Sequence, residues 1–357
     1  MAEGDLLELR PQGLYCAAGD FYIDPWRPVE RALITHGHAD HARAGHRHYL
    51  ACERAQGVLR ARLGSVTLQT LPWGEGLMLG DVRVSFHPAG HILGSAQIRV
   101  EHRGRVWVAS GDYKVEADGT CDAFEPVRCD TFITESTFGL PIYRWRRQSE
   151  IMADINRWWA ANAADGRTSV LYCYSLGKAQ RILSGVDPSI GPIVCHGAIL
   201  ALNRVYQDAG VALPAVHSAD EALAPADRAR ALVLAPPACA GSAWVRRFAD
   251  RSDAFASGWM QVRGTRRRRG VDRGFVLSDH ADWPGLQWAI RQTGASRVLV
   301  THGQVAPMVR WLREQGLQAE PLATRFGEEG EDGEDGTDSA TDGATISAPA
   351  QDPAAGV

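Results

Sequence analysis

The amino-acid sequence predicts a mixed α/β fold, on two observations. In the first third of the chain, short apolar or alternating runs lie between glycine, proline and aspartate residues, as β-strands do. Further along, apolar runs of strand length alternate with longer segments of helical spacing, which favours βαβ units around a parallel sheet. The chain has 357 residues, 45% of them hydrophobic, so it can bury the core of one large domain or of two ordinary ones.

The first third is predicted to be rich in strands. We expect strands in "RALIT", "VTLQTL", "VRVSFHPAG", "AQIRVEHRGRVWVASGD" and "TFITEST", joined by glycine-rich turns. Between the first two of these, "ADHARAGHRHYLACERAQGVLRARLG" contains helical segments. This order of elements indicates an α/β or sheet-sandwich beginning.

The rest of the chain alternates strands and helices more regularly. Strands are expected in "SVLYCYS", "PIVCHG", "RALVLAPP", "DAFASGWM", "GFVLSDH" and "RVLVTHG". The helical segments that follow them are "LGKAQRILSGV", "AILALNRVYQDAG", "SAWVRRFAD", "QVRGTRRRRG", "PGLQWAIRQTG" and "APMVRWLREQG". Residues 327–357 instead contain nine acidic residues, no basic one and almost no large apolar side chains, which predicts a disordered acidic tail.

Charge is distributed unevenly along the chain. The net charge is −4, yet residues 141–275 carry 19 Lys and Arg against 11 Asp and Glu. A local basic excess predicts an anionic partner for this segment. The alternative is that arginine is simply the cation that this chain prefers, since its only lysines are Lys114 and Lys178.

Several classes of protein are disfavoured by composition. No apolar run reaches the roughly 18 residues of a membrane span, and the polar start "MAEGDLLELR" does not resemble a secretory signal, which predicts a cytoplasmic protein without membrane contact. The seven cysteines are scattered and form no CxxC pair, so we expect free thiols. Any bound metal must then be held by imidazole and carboxylate groups.

A histidine-rich stretch supplies such groups. Five of the twelve histidines lie in "ITHGHADHARAGHRH", residues 34–48. His36 and His38 are two residues apart, so an extended backbone projects both imidazoles to one side. Asp40 and His41 follow at the expected start of a helix and can face a neighbouring position. Two ligand pairs so close together suit two adjacent ions, with zinc favoured and manganese or iron as alternatives.

Isolated ligand residues recur at the ends of later strands. His91 follows a strand in "FHPAGHILGSA", Asp112 ends the strand of "VWVASGDY", and His302 ends the strand of "VLVTHGQ". Loops at strand ends are where a sheet scaffold presents functional side chains. The carboxylate of Asp112 is suited to bridge two cations.

These motifs together resemble a known superfamily. The set "THGHADH", "PAGHILGSA" and "SGDY" resembles the metallo-β-lactamase superfamily, and "TESTFG", "LSDHADW" and "VLVTHG" resemble its β-CASP branch of nucleic-acid-processing nucleases. The resemblance covers roughly residues 10 to 326 and within the branch is greatest to bacterial ligase-associated DNA damage response exonucleases. It implies an αββα sandwich of residues 1–140 and 276–326, interrupted by an inserted α/β domain of residues 141–275 and followed by the tail, 327–357.

The resemblance also implies a dinuclear metal centre. It assigns one ion to His36, His38 and His91, the other to Asp40, His41 and His302, and a bridging role to Asp112. Asp24 in "FYIDP" would orient a ligand histidine from behind. Glu135 in "TEST" and His280 in "SDHADW" would handle the leaving group beside the metals.

The implied reaction is hydrolysis of a phosphodiester. His280, polarised by Glu135, would protonate the leaving alkoxide as general acid, with Asp112 shared by the metals. An alternative for "SDHADW" is a helix cap from Ser278 or Asp279, which is compatible with catalysis.

Residues that hold the substrate are expected in the basic segment. Arg266, Arg267 and Arg268 in "RGTRRRRG" are candidates to follow a phosphate backbone, against the alternative of a solvated loop. Lys178, at a helix start, is a candidate for binding a phosphate, and so is His196, before a helix in "PIVCHGAIL".

The predicted function is a two-metal nuclease, with a DNA exonuclease of DNA repair favoured and an RNA-processing nuclease as the alternative. Family analogy implies a DNA ligase and a helicase as partners. Two rivals are a small-molecule metallo-hydrolase, which the basic segment and the added His280 and Glu135 disfavour, and a non-catalytic nucleic-acid-binding protein, which the intact ligand set disfavours. Polarity of cleavage, exonuclease against endonuclease action, the native metal and the oligomeric state stay open.

Overall fold

The structure is a computed structural model that describes residues 4–221 and 223–325, without the side chains of residues 265, 266 and 268. The predicted acidic tail lies outside the described residues. Among the described residues, no helix has both the length and the apolar character needed to cross a bilayer. All seven cysteines are free thiols.

Two β-sheets form the first part of the fold. The first sheet has the order β1-β2-β3-β4-β5-β6, with β1 (Glu8–Arg10), β2 (Gly13–Cys16), β3 (Phe21–Ile23), β4 (Arg31–Leu33), β5 (His48–Cys52) and β6 (Leu68–Leu71). The helix α1 (Gln56–Leu63) links its last two strands. The second sheet has the order β19-β18-β11-β10-β9-β8-β7, with β7 (Leu77–Leu79), β8 (Val82–Pro88), β9 (Ala96–His102), β10 (Arg105–Ala109), β11 (Thr131–Ser136), β18 (Arg297–Gly303) and β19 (Gln318–Pro321).

The two sheets pack on one shared hydrophobic core. Leu33 of the first sheet and Phe86 and Ile98 of the second belong to it, and all three are fully buried. Alternate residues of the second sheet face the other way, so that Phe132 and Val298 join a second core under the helices α7 (Trp283–Thr293) and α8 (Val305–Glu314). Both faces of the second sheet are therefore covered, so successive side chains of β10, β11 and β18 are buried on opposite sides. This explains why these strands appear as apolar runs in the sequence. We call this assembly the sandwich.

A third, all-parallel sheet is formed by the intervening residues. Its order is β14-β13-β15-β12-β16-β17, with β12 (Thr168–Tyr172), β13 (Ile193–Cys195), β14 (His217–Ser218), β15 (Leu232–Ala235), β16 (Arg251–Ala256) and β17 (Arg273–Phe275). Its helices are α2 (Gln148–Ala164), α3 (Lys178–Leu183), α4 (Gly197–Asp208), α5 (Pro225–Ala229) and α6 (Arg263–Arg268). Separate apolar clusters cover its two faces, as expected for βαβ units. We call residues 148–275 the third-sheet unit.

The third-sheet unit contacts the sandwich through a small apolar cluster. Val58 of α1 and Ile92 pack against Leu176, Leu202 and Tyr206 of the third-sheet unit. The Leu93 amide donates a hydrogen bond of 3.2 Å to the Tyr206 hydroxyl. The loop that carries His91 is therefore in direct contact with both parts of the fold.

The prediction of a mixed α/β fold is confirmed, but two local expectations are wrong, and several elements, the helix α2 among them, were not predicted. Asp40 and His41 do not begin a helix: the backbone makes a single turn closed at the carbonyl of His38, and the chain then enters β5 at His48 because the apolar run "YLAC" pairs between β4 and β6. "SAWVRRFAD" forms only a short 3₁₀ turn, Val245–Arg247, after two prolines. The strands β1 to β3 were not expected, because each is only three or four residues long.

Candidate metal centre

The candidate ligands meet at one edge of the sandwich. His36 and His38 follow β4, His91 follows β8, and Asp112 follows β10. His302 lies near the end of β18, which pairs in parallel with β11, itself parallel to β10. Equivalent ends of parallel strands lie at the same sheet edge, so residues up to 266 positions apart in sequence converge there.

One cluster consists of His36, His38, His91 and Asp112. A ligand atom from each lies within 4.8 Å of those of the others. The His38 Nδ1 and His91 Nε2 atoms are 3.0 Å apart, close to the roughly 3.3 Å that separates two nitrogens on one tetrahedral zinc ion with bonds of about 2.0–2.1 Å. His36 and His91 are fully buried.

A second cluster consists of Asp40, His41 and His302, whose ligand atoms also lie within 4.8 Å of one another. The His41 Nε2 atom is 3.4 Å from Asp40 Oδ2, and the His41 and His302 rings are stacked with centroids 6.4 Å apart. His302 has a φ of 60°, an uncommon left-handed backbone for a non-glycine residue, and donation from the Ser136 hydroxyl to its carbonyl fixes this turn.

Asp112 lies between the two clusters. Its Oδ2 atom is 3.4 Å from His36 Nε2, 3.6 Å from His41 Nε2 and 3.9 Å from His91 Nε2. Burial raises the pKa of Asp112, with a further increase from the neighbouring Glu135. A cation on either side would compensate the buried carboxylate.

The chemistry of the donors fits divalent cations. Within the part of the chain that the structure describes, the buried His36 Nε2 and His302 Nδ1 atoms have no hydrogen-bond partner, which is costly unless something else binds them. Burial and neighbouring histidines hold the pKa values of His36 and His91 well below the ordinary range, so both imidazoles are neutral, as ligation requires. The two clusters of histidine and aspartate can hold metal ions.

Asp24 orients the second cluster from behind. Its carboxylate accepts hydrogen bonds from the Thr35 amide (2.8 Å), the Thr35 hydroxyl (2.5 Å) and His41 Nδ1 (2.8 Å). The His41 Nδ1 proton is thereby held, and Nε2 faces Asp40 and Asp112. Burial lowers the pKa of His41, but the carboxylates of Asp40, Asp112 and Asp24 outweigh it and raise that pKa to about 10.

His91 is oriented by a different part of the chain. Its Nδ1 donates a hydrogen bond of 2.9 Å to the backbone carbonyl of Asp279, which leaves Nε2 for the first cluster. The Arg181 guanidinium donates to the His91 carbonyl at 3.0 Å, and its Nε lies 3.3 Å from the Asp279 carboxylate. Arg181 therefore holds both the ligand loop and the residue that orients the ligand.

Arg181 was missed by the sequence analysis. It belongs to α3 of the third-sheet unit, is 1% exposed, and also pairs with Asp118 at 2.6 Å. Lys178, one turn earlier, pairs with Asp279 at 3.4 Å, and the two cations lower the pKa of Asp279 against the opposing effect of burial. An arginine within the apolar positions of "LGKAQRILSGV" was the available signal, since an unpaired buried guanidinium is very costly.

Glu135 and His280 form a pair beside Asp112. His280 Nδ1 donates to the Glu135 carboxylate, at 3.0 and 2.9 Å from its two oxygens. Glu135 is buried and also accepts from the Tyr113 amide and the Thr137 hydroxyl. Burial raises the pKa of Glu135, but the contact with His280 outweighs it, so the carboxylate is ionised. Ligand atoms of Asp112, Glu135 and His280 lie within 4.8 Å of one another.

The candidate substrate-binding residues are more dispersed. Lys178 is 4% exposed and packs over the Tyr174 ring as well as pairing with Asp279, so it is not a free surface cation. His196 accepts a hydrogen bond from the Ala198 amide at the start of α4 and packs on Trp244. Arg267 is exposed on α6, whereas the side chains of Arg266 and Arg268 lie outside the described residues.

Relatives of known name share this chain's sequence. A probable DNA ligase of Opitutus terrae is 33% identical over 311 residues, which are 86% of this chain and 30% of the ligase. An endoribonuclease YSH1 of Gibberella zeae is 30% identical over 114 residues, 30% of this chain and 13% of the relative. A ribonuclease of Thermus thermophilus is 27% identical over 224 residues, 54% of this chain and 49% of the relative. This chain is a homologue of proteins of the metallo-β-lactamase/β-CASP nuclease family.

The homology rests on these relatives, of which the chain spans less than half the length in each case. No family model matches the chain. Among solved structures, a protein of unknown function from Enterococcus faecalis aligns with a TM-score of 0.55 at 12% identity, covering 84% of this chain and 80% of that chain. At that identity the likeness concerns the fold alone.

Proposed function

We propose that this chain is a metal-dependent phosphodiesterase of this family that hydrolyses nucleic acid, and that it acts as a DNA exonuclease in DNA repair. The observation that carries the proposal is the position of Asp112, which belongs to the first ligand cluster, lies 3.6 Å from His41 of the second, and is adjacent to the hydrogen-bonded pair of Glu135 and His280. Metal ligands alone would suit many hydrolases. The added acid-base pair suits a reaction whose leaving group needs a proton.

The proposed cofactors are two divalent ions, zinc with manganese as the alternative. His36, His38 and His91 would hold one, Asp40, His41 and His302 the other, and Asp112 both. Two such ions would polarise the phosphodiester and make a water molecule nucleophilic near neutral pH. The separation of the donors into two sets joined by one carboxylate supports the number two.

His280 is the proposed general acid. Glu135 accepts a hydrogen bond from His280 Nδ1 and thereby orients the imidazole, whose Nε2 would donate the proton to the leaving oxygen. The ionised carboxylate favours the protonated imidazolium before the reaction and the correct ring orientation during it. Three donors to Glu135 leave it little freedom to move, which keeps the pair in place.

DNA is favoured over RNA because the relative that matches most of this chain is named a probable DNA ligase. The name also supports a ligase as a partner in repair, whereas a helicase is proposed from family analogy alone. An RNA-processing nuclease is the second candidate, since the other two relatives are named ribonucleases. We further propose a cytoplasmic location, which seven free cysteines support, and an αββα sandwich of residues 1–140 and 276–326 with an inserted β-CASP domain of residues 141–275.

Contacts with the phosphate backbone are proposed for His196 and the arginines 266, 267 and 268, but no longer for Lys178, whose ammonium group is buried against Asp279. The basic excess of this segment and the exposure of Arg267 support them. If these residues bind phosphates, replacing Arg267 by Met should weaken the binding of nucleic acid less at high salt than at low salt. An unchanged salt dependence contradicts a phosphate contact.

The deciding experiment incubates the purified chain with end-labelled single-stranded and duplex DNA and RNA, with and without a 5′ phosphate, in zinc or manganese. A ladder of successively shorter DNA products supports the exonuclease. Cleavage of RNA alone favours the second candidate, and hydrolysis of a β-lactam or thioester without nuclease activity contradicts both. His280→Ala is the matched control, because it removes the proposed acid and leaves all seven metal ligands in place.

A further inference from the structure

Four aromatic side chains pack beside His280. The Phe138 ring lies 6.0 Å from the His280 ring, and the rings of Trp145 and Trp259 lie 4.8 and 4.7 Å from Phe138. Tyr143 is 4.8 Å from Phe138 and 5.7 Å from Trp259. Phe138 and Tyr143 are buried, whereas both tryptophans keep part of their surface exposed. We call these four residues the aromatic cluster.

Trp145 is tied directly to the segment that carries His280. Its indole Nε1 donates a hydrogen bond of 3.0 Å to the His280 carbonyl, and its amide donates one of 2.8 Å to Asp282 Oδ2. The other oxygen of Asp282 caps α7. Trp145 is thus held at a constant position relative to the acid-base pair.

Trp259 comes from the third-sheet unit and reaches the cluster through a tight turn. A Cβ atom at Gly258 would lie only 2.5 Å from the Phe138 ring, so glycine is required for this close approach. Ser257 accepts the Trp259 amide, and Gln261 donates to the carbonyl of Ile142. Trp145 and Trp259 therefore pack on the same Phe138 ring at the junction between the two parts of the fold.

The surroundings of the tryptophans are cationic and partly apolar. Arg144 precedes Trp145, and Arg263 and Arg267 lie on α6 soon after Trp259. All three are exposed, and none forms an ion pair with a carboxylate among the residues that the structure describes. Ile142 is 54% exposed. Indole surface combined with unpaired guanidinium groups is the chemistry that binds single-stranded nucleic acid.

We propose that Trp145 and Trp259 stack unpaired nucleobases of a single strand and thereby place its phosphodiester beside His280. The inference rests on the proposed function and names the substrate class of the same site. A single strand is the fitting occupant because the base faces of a duplex are already covered by neighbouring base pairs. Stacking on an aromatic ring tolerates any base, so this contact selects unpaired strands rather than a sequence.

The test compares the binding of two short labelled strands to the metal-loaded protein, measured by fluorescence anisotropy. Both strands have phosphorothioate backbones that resist cleavage; one is oligothymidine and the other is abasic, with the same charge. Wild type is expected to bind the strand with bases about tenfold more tightly than the abasic one. Trp259→Leu is expected to lose most of this preference while its affinity for the abasic strand is unchanged, and Trp259→Phe to keep it.

Controls separate stacking from folding and from catalysis. Trp288→Leu removes a tryptophan that is 39% exposed on α7 outside the cluster, and should leave the preference unchanged. Trp145→Leu changes the other part of the fold, and should show the same loss as Trp259→Leu. Equal affinity of wild type for both strands, or a preference that survives both leucine variants, overturns the proposal. Base preference in a protein that cleaves no nucleic acid would instead contradict the proposed function alone.

Discussion

The two ligand clusters are alike in composition but differ in what supports them. The cluster of Asp40, His41 and His302 is supported within the sandwich, where Asp24 and Thr35 hold the His41 ring. The cluster that contains His91 is supported across the junction, where Arg181 of the third-sheet unit holds the His91 loop and Asp279. One cluster is local to the sandwich, and the other is complete only when both parts of the fold are in contact.

This difference gives the third-sheet unit a role in the metal centre itself. Arg181, Asp118 and Asp279 are buried charged groups, and burying charges costs solvation free energy that a well-packed apolar core would not. Arg181 donates to the backbone carbonyl of His91, and the Asp279 carbonyl accepts from the His91 ring. We therefore expect these charges to matter for the geometry of His91 more than for overall stability.

Asp112→Asn should have the largest effect, because Asp112 lies between the two clusters and is the proposed ligand of both ions. A neutral amide cannot replace a bridging carboxylate. The positive charge of the bound cations would then lack the compensating negative charge of Asp112. We expect nuclease activity to fall by about three orders of magnitude or more. The measurement is single-turnover cleavage together with metal content by mass spectrometry. Full metal content with full activity would contradict a shared ligand.

His280→Ala should rank next and should affect neither cluster. Loss of a general acid typically costs about 10²–10⁴-fold in rate. Metal content should remain that of wild type, because His280 is not among the seven proposed metal ligands and its Nδ1 hydrogen bond is to Glu135. Cleavage of a substrate with a leaving group that needs no proton, such as a nitrophenyl phosphodiester, should lose much less. An equal loss on both substrates would contradict the role of acid.

Arg181→Met tests the support across the junction. Removing the groups that orient a metal ligand typically lowers metal affinity by about 10–100-fold, and here the loss should fall on one of two sites. Zinc titration with a chromophoric chelator should show one weakened and one unchanged site. Arg204→Met, an exposed arginine on α4, is the matched control. Arg181→Lys should recover part of the affinity, whereas equal weakening of both sites would contradict the comparison.

Asp24→Asn tests the local support and should weaken the other site. Asparagine has one acceptor oxygen in place of two, so it loses either the Thr35 amide at Oδ1 or both the Thr35 hydroxyl and His41 Nδ1 at Oδ2, and a loss of about tenfold is expected. The same chelator titration identifies the affected site, since the double variant with Arg181→Met should weaken both. A double variant no worse than either single one would indicate a single shared support.

The candidate ligands could be identified from the sequence because each lies in a short, recognisable segment. His36, His38, Asp40 and His41 lie in one loop, and each of the remaining ligands ends a strand whose apolar pattern is visible in the sequence. The structure brings all of them together, while their roles as ligands stay predictions. The helix expected at Asp40 was wrong because strand pairing by β5 overrode a weak local preference.

The residues that support the ligands could not be identified in this way, because they act through contacts between segments that are distant in the sequence. From the sequence, Lys178 is a candidate for binding a phosphate, yet its side chain is buried and paired with Asp279. Arg181 gave a signal only in retrospect, because a charged residue on a helix is ordinarily solvated. Trp145 and Trp259 both pack on Phe138, and the contact of Trp259 requires glycine at position 258. This requirement follows from the short distance between Gly258 and the Phe138 ring, which only the folded structure shows.

The sequence by itself determined the α/β class, the type of metal donor and the places where strands present them, since alternation and strand-end residues are encoded over a few positions. The division of the donors into two sets around Asp112, the role of Asp24 and the pairing of His280 with Glu135 were implied by the family resemblance. Only the tertiary structure decided that Arg181 and Asp279 support the set that contains His91 and that Lys178 is buried beside them. These depend on distances between segments up to 188 residues apart, such as His91 and Asp279, which no local pattern specifies.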